Sequence, residues 1–171
     1  GGIPDPVIPG YETVNGSLGH GLGVATGMAL GLNRKGSDRD VFVIAGDGEL
    51  HEGSNWEAAM FASQHRLDNL NLIVDNNRIS MLGHTDDIVS HGRLGDRLGA
   101  FGWSCAEVDG HDVDAVCAAL HVMKAQRNGA PKALIAHTIK GRGVPGLEDA
   151  PLCHIMNPKL ETLDRLLGEA S

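Results

Sequence analysis

The sequence predicts an α/β fold, a doubly wound and mostly parallel sheet with helices on both faces. Segments of strand composition alternate with segments of helical composition along the chain, and the strand segments are nearly unbroken apolar runs. Strands buried on both faces read that way, as in parallel sheets covered by helices. The 171 residues, 42% of them hydrophobic, suffice for one ordinary core, so residues 1–171 are expected to form a single domain.

In chain order, residues 16–33 are small and apolar, with glycines at 19, 23, 27 and 31 and Gly21, Ala25 and Ala29 on the adjacent row. On a helix these rows form strips of one face, and interior glycines that each cost about 1 kcal/mol relative to alanine imply close approach of another backbone. Residues 41–45 (VFVIA) form the first strand, 54–66 a helix and 70–74 (LNLIV) a second strand. Residues 94–101 are helical and 103–108 form a strand. Asp112 is placed to cap a helix over 112–127, and 133–138 form the last strand. Gly-rich 141–146 is a loop before a final helix at about 158–168.

The net charge of −8 opposes nonspecific nucleic-acid binding, which needs clustered Lys and Arg. No apolar run approaches the roughly 18 residues of a membrane span. Cys105, Cys117 and Cys153 are an odd number without framework spacing, and no signal peptide precedes them, which suggests a reducing, cytoplasmic setting. The start, Gly1-Gly-Ile-Pro-Asp, lacks Met and has turn composition, so the chain is expected to lack part of its N-terminus.

Ligands of such sheets bind outside the carboxyl ends of the strands. The first strand ends in Gly46-Asp47-Gly48, where the glycines allow a ligand close to the backbone and the aspartate faces the crevice. The second ends in Asp75-Asn76-Asn77, and Asn77 follows Asp47 by thirty residues, about one β-α-β unit. A carboxylate, an amide oxygen and a main-chain carbonyl are hard donors suited to octahedral Mg²⁺, with water and substrate phosphate completing the shell. His51-Glu52 opens like a zinc protease motif, but Asn55 stands where the second histidine is required. The order Gly19-His-Gly21-Leu-Gly23, after a turn-rich stretch, does not fit a dinucleotide loop either.

These residues resemble the thiamine diphosphate-binding domain of transketolase. Gly16-Ser-Leu-Gly-His-Gly21, GDGELHEGSNWEAA over 46–59, DNNRIS over 75–80 and Asp109-Gly-His-Asp112 carry the resemblance, which runs from about residue 1 to 154. It is nearest to the N-terminal subunit of split transketolases. The resemblance implies thiamine diphosphate and Mg²⁺ as cofactors, with Asp47, Asn77 and the carbonyl of Ile79 as metal ligands. It implies Gly16, Ser17, Leu18, Gly46, Gly48, Glu49, Met81 and His154 as further cofactor contacts. Glu52 and Glu57 match acidic residues near the subunit interface and are counted with His154 as catalytic; each also suits a helix start. The implied activity moves a two-carbon ketol unit from a ketose donor to an acceptor, with a separate pyrimidine-domain subunit supplying the missing glutamate, two of each chain. Two rivals stay open. One is a subunit like the first component of 2-oxoacid dehydrogenases, passing an acyl unit to a carrier protein; the other is a non-catalytic binding module.

The chain also departs from the family pattern. Transketolases carry Gly-His-Pro where this chain has Gly2-Ile3-Pro4, and a His-Gly pair where it has His154-Ile155. Isoleucine can neither donate a hydrogen bond nor shuttle a proton. An altered substrate follows as an expectation, with a less polar or acyl-carrier acceptor in place of an aldose phosphate.

Overall fold

The structure, a computed structural model, describes residues 7–13, 16–81, 83–144, 146–154 and 160–168. Ile3, Pro4 and Ile155 fall outside the described residues. Four parallel strands form the main sheet: β1 (Val41–Gly46), β2 (Leu70–Asn76), β5 (Ser104–Asp109) and β6 (Lys132–His137), in the order β1-β2-β6-β5. Between β2 and β5 lies a small antiparallel hairpin, β3 (Ile79–Ser80) and β4 (Gly83–His84). The helices are α1 (Gly21–Arg34), α2 (Gly53–Gln64), α3 (Thr85–Val89), α4 (Leu94–Ala100), α5 (Val113–Ala125) and α6 (Leu160–Gly168).

Strand alternation explains the two faces. Val41, Ala45, Leu70, Leu72, Val74, Ala133 and Ile135 share the face that packs on Leu22, Ala25 and Ala29 of α1 and on Leu94 and Leu98 of α4. Lys132 and Leu134 point to the opposite face, where α5 lies. The fully buried Lys132 ammonium donates to the carbonyls of Met123 (2.8 Å) and Gln126 (3.1 Å) at the end of that helix. Buried backbone carbonyls at a helix end need donors, and a lysine from the strand beneath supplies them. On this second face Ile44 of the edge strand β1 remains 70% exposed.

The first helix starts five residues later than its composition suggests. Gly19 has φ +82°, a left-handed turn that ends any helix running through it. Gly19 is also clamped from two sides, since its N–H donates to Glu49 Oε1 (3.1 Å) and its carbonyl accepts from Ser54 Oγ (2.7 Å). The glycine stripe faces outward: at Gly23, Gly27 and Gly31 a Cβ would meet, beyond its chain neighbours and the helix's own backbone, no described atom within 4 Å. Asp112 caps α5 as expected, Oδ1 accepting from Ala115 N at 3.0 Å. Among the described residues no helix is long and apolar enough to cross a membrane.

Candidate functional site

The parallel register sets the ends of β1 and β2 side by side. Gly46 pairs with Asp75, and the Asp47 N–H donates to the Asp75 carbonyl at 3.1 Å. Asp47 is 1% exposed. Its Oδ2 accepts from the Thr85 hydroxyl at 2.9 Å, while Oδ1 has no hydrogen-bond partner. Three other buried side-chain oxygens share that condition among the described residues, those of Asn55, Asn69 and Asn71. Asp47 alone of the four is a carboxylate, and it stands at the carboxyl end of a strand. A buried carboxylate oxygen left open is costly unless a cation meets it.

Burial pushes the Asp47 carboxyl above the ordinary carboxylate value, and neighbouring Asp75 adds to the push; the Thr85 hydroxyl and the amides of Gly48 and Arg78 offset part of it. His91 Nε2 donates to the Asp47 carbonyl at 3.0 Å from behind. Its ring stacks on His51, with centroids 4.4 Å apart. Burial, and then the His51 ring, pulls the His91 pKa below that of a free histidine. A neutral ring with its proton on Nε2 suits a site where the positive charge is to come from a metal.

Asn77 lies at 8% exposure on the turn that leaves β2. Its Oδ1 accepts from Ile79 N at 3.0 Å, and its Nδ2 donates to Asp75 Oδ2 at 3.0 Å. Arg78, between them, holds φ +63° and pairs with Asp86 at 2.5 Å. This left-handed residue closes the turn that carries Asn77 and Ile79 past the end of β1. Gly48 abuts the hairpin so closely that a Cβ there would sit 3.0 Å from Ser80 Cβ. The donor set, an open carboxylate oxygen, an amide oxygen with a spare lone pair and adjacent main chain, fits a hard divalent cation.

The remaining expected residues lie on neighbouring turns, on the β3–β4 hairpin and on α2. Gly16, Ser17 and the 58%-exposed Leu18 precede the clamped Gly19, and Met81 is exposed at the hairpin tip. Glu49 is engaged by the Gly19 amide, and its carbonyl accepts from Asn55 Nδ2 at 2.7 Å, so it anchors the 16–19 turn to the first. Glu52 precedes α2 in an extended conformation without capping through its side chain, and Glu57 is exposed on that helix. His154 lies on a 3₁₀ turn, Pro151–His154, packed against the β3–β4 hairpin, with Nδ1 3.3 Å from Lys140 Nζ. Thr85, His91, Asp75, Thr138 and Lys140 escape the sequence reading. Of these, Asp75 alone had a signal, its place directly before the Asn-Asn pair.

Comparison with known proteins gives this geometry a family. Residues 1–159 match the family described as transketolase, thiamine diphosphate binding domain. The chain is 43% identical over 161 residues to an apulose-4-phosphate transketolase subunit of Actinobacillus succinogenes, covering 94% of this chain and 58% of that protein. It is 43% identical over 159 residues to human transketolase, covering 90% of this chain and 24% of the relative. Among solved structures, transketolase from Campylobacter jejuni superposes with a TM-score of 0.82 at 30% identity, over 98% of this chain and 27% of that one. The chain thus spans little more than half the length of the Actinobacillus relative, and with its parallel sheet and strand-end carboxylate it belongs to the transketolase family, in its thiamine diphosphate-binding domain.

Proposed function

We propose that this chain is the diphosphate-binding domain of a two-component transketolase, a Mg²⁺- and thiamine diphosphate-dependent transferase that moves a two-carbon ketol unit from a ketose phosphate to an acceptor. The observation that carries the reading is the buried, open Oδ1 of Asp47 beside the Asn77 turn. Asp47, the Asn77 amide oxygen and the Ile79 carbonyl would hold Mg²⁺, which would offset the charge of Asp47 and of the diphosphate together. Gly48, where a Cβ would crowd Ser80 at 3.0 Å, keeps the main chain at the anion's edge. The bound cofactor supplies the carbon-centred chemistry of breaking and making C–C bonds.

The chain's own residues position that chemistry. The Gly16–Leu18 turn, fixed through Gly19 to Glu49 and Ser54, lies on the same side of the sheet as the Asp47 turn. His154, with the Lys140 ammonium near its Nδ1, presents a polar edge and positive charge for the diphosphate or a phosphorylated substrate. Glu52 and Glu57, on and before α2, and the outward stripe of Gly23, Gly27 and Gly31 face a partner subunit that carries the pyrimidine-binding domain. Two of each chain complete the enzyme in this reading. The relatives named as apulose-4-phosphate transketolase subunits support it by that name, which also makes apulose 4-phosphate a donor to supply.

Calorimetric titration of thiamine diphosphate into the complete enzyme, with and without Mg²⁺, tests the site. Asp47→Ala is expected to weaken binding at least tenfold, about 1.4 kcal/mol. Undiminished binding by that variant would remove the site assignment.

A further inference from the structure

We propose that Asp75, braced by Thr138, is the positioning residue that decides which end of the Asn77 amide faces the divalent cation. This deepens the functional reading above and rests on it. Asp75 touches every strand end that builds the site. Its carbonyl accepts from Asp47 N (3.1 Å), its Oδ2 accepts from Asn77 Nδ2 (3.0 Å), and its Oδ1 accepts the hydroxyl of Thr138, just beyond β6.

The chemistry of the pair gives the contact its consequence. The two ends of a carboxamide are nearly equal in shape and opposite in function, one a donor and the other an acceptor. A carboxylate only accepts, so Asp75 holds the NH₂ end of Asn77 and turns Oδ1 away from itself. That oxygen takes one bond from Ile79 N and keeps a lone pair for a cation. With the amide reversed, two N–H donors would face the metal, and affinity would fall.

Thr138 is itself fixed. Its N–H donates to the Asn76 carbonyl at 3.3 Å, and Gly110 packs beneath it so tightly that a Cβ there would run into Thr138 Cγ2 and lie 3.1 Å from the His137 carbonyl. The glycine of Asp109-Gly-His-Asp112 therefore supports the site from the far side of β6. His111 extends the brace, its Nε2 accepting from Ile139 N at 2.8 Å.

The test is Mn²⁺ binding by the complete enzyme in the presence of thiamine diphosphate, read as loss of the free-Mn²⁺ electron paramagnetic resonance signal. Asp75→Asn replaces a pure acceptor with a group that also donates, so of the two contacts that orient the Asn77 amide only the one from Ile79 N still selects its oxygen end. Its Mn²⁺ dissociation constant is expected to rise about 10- to 100-fold, the usual effect of losing an outer-shell partner. Thr138→Val is expected to raise it about 2- to 10-fold, the size of one lost hydrogen bond. The thermal midpoints of both metal-free variants should fall by no more than the small amount one lost hydrogen bond costs, and saturating Mn²⁺ should restore cofactor affinity to Asp75→Asn, which a general loss of structure would not allow. Parental Mn²⁺ affinity in folded Asp75→Asn would overturn the proposal; should that variant not fold, parental affinity in Thr138→Val would do the same. Asp47→Ala separates the two levels, because parental Mn²⁺ binding by that variant would overturn the cation site itself.

Discussion

Thr85 holds one oxygen of Asp47 at 2.9 Å and leaves the other buried and open. The carboxylate is thereby fixed in rotation, with its second oxygen left free for a cation. Thr85→Val keeps the shape and removes the donor. Metal-dependent cofactor affinity should fall about tenfold, with a stability loss of about 1 kcal/mol. Calorimetry of Mg²⁺-dependent thiamine diphosphate binding checks this; unchanged affinity would mean that Asp47 needs no such anchor.

Asp47→Asn should separate stability from binding. Burial raises the folded pKa of Asp47 above its unfolded value, so over that window the metal-free fold binds more protons than the unfolded chain. Stability contributed by this group is then lost as pH rises through the window. The variant lacks that loss, so its metal-free thermal midpoint at neutral pH should exceed the parental one while Mg²⁺ no longer shifts it. A lower midpoint than the parent's would show that the buried charge is already compensated without metal.

Gly19→Ala tests the clamp between the first turn and α2. The new Cβ would meet Ser54 Oγ at 2.5 Å and Glu52 Cβ at 2.7 Å, at φ +82°. The left-handed conformation alone costs about 1–2 kcal/mol, and the clash adds to it. Chemical denaturation should show the loss, and cofactor affinity should fall with it as the 16–18 turn shifts. Stability within about 0.5 kcal/mol of the parent would argue against the clamp.

Glu107 lies below the ordinary carboxylate pKa, chiefly because His137 Nε2 donates to it at 3.0 Å, with Arg93 assisting. A depressed folded value contributes stability above the unfolded pKa that is lost as pH falls through the folded one. Both side chains are well exposed, 36% for Glu107 and 49% for His137, so the contribution is under about 1 kcal/mol. Glu107→Gln should slightly lower the urea midpoint at neutral pH and converge with the parent in acid. A constant offset at all pH values would place the effect elsewhere.

The apolar runs of β1 and β2 and the capping Asp112 are legible because the signals are local, a short unbroken apolar run and an oxygen before a helix. Asp47 and Asn77 were legible as a pair because parallel strands bring their carboxyl ends together at a fixed sequence separation. The supports were not. Thr85 and His91 reach Asp47 across 38 and 44 residues, and Thr138 reaches Asp75 across 63. Such contacts depend on strand order, β6 lying next to β2, and composition does not state it. The hairpin β3–β4 and short α3 leave no mark in the sequence, because elements of two to five residues carry no periodicity. The cost of the glycine stripe predicts a close neighbour, and the described residues pack none against Gly23, Gly27 or Gly31.

Ketol transfer by the reconstituted pair tests the central claim most directly. The complete enzyme, co-purified with a pyrimidine-domain subunit, is given Mg²⁺, thiamine diphosphate, a ketose phosphate such as apulose 4-phosphate and either an aldose phosphate or an acyl-carrier acceptor, and products are followed by mass spectrometry. The account predicts an acceptor lengthened by a two-carbon ketol unit, formed only when both subunits and both cofactors are present and lost with Asp47→Ala. No such product from the parental pair with any ketose phosphate, or equal product from Asp47→Ala, would contradict it.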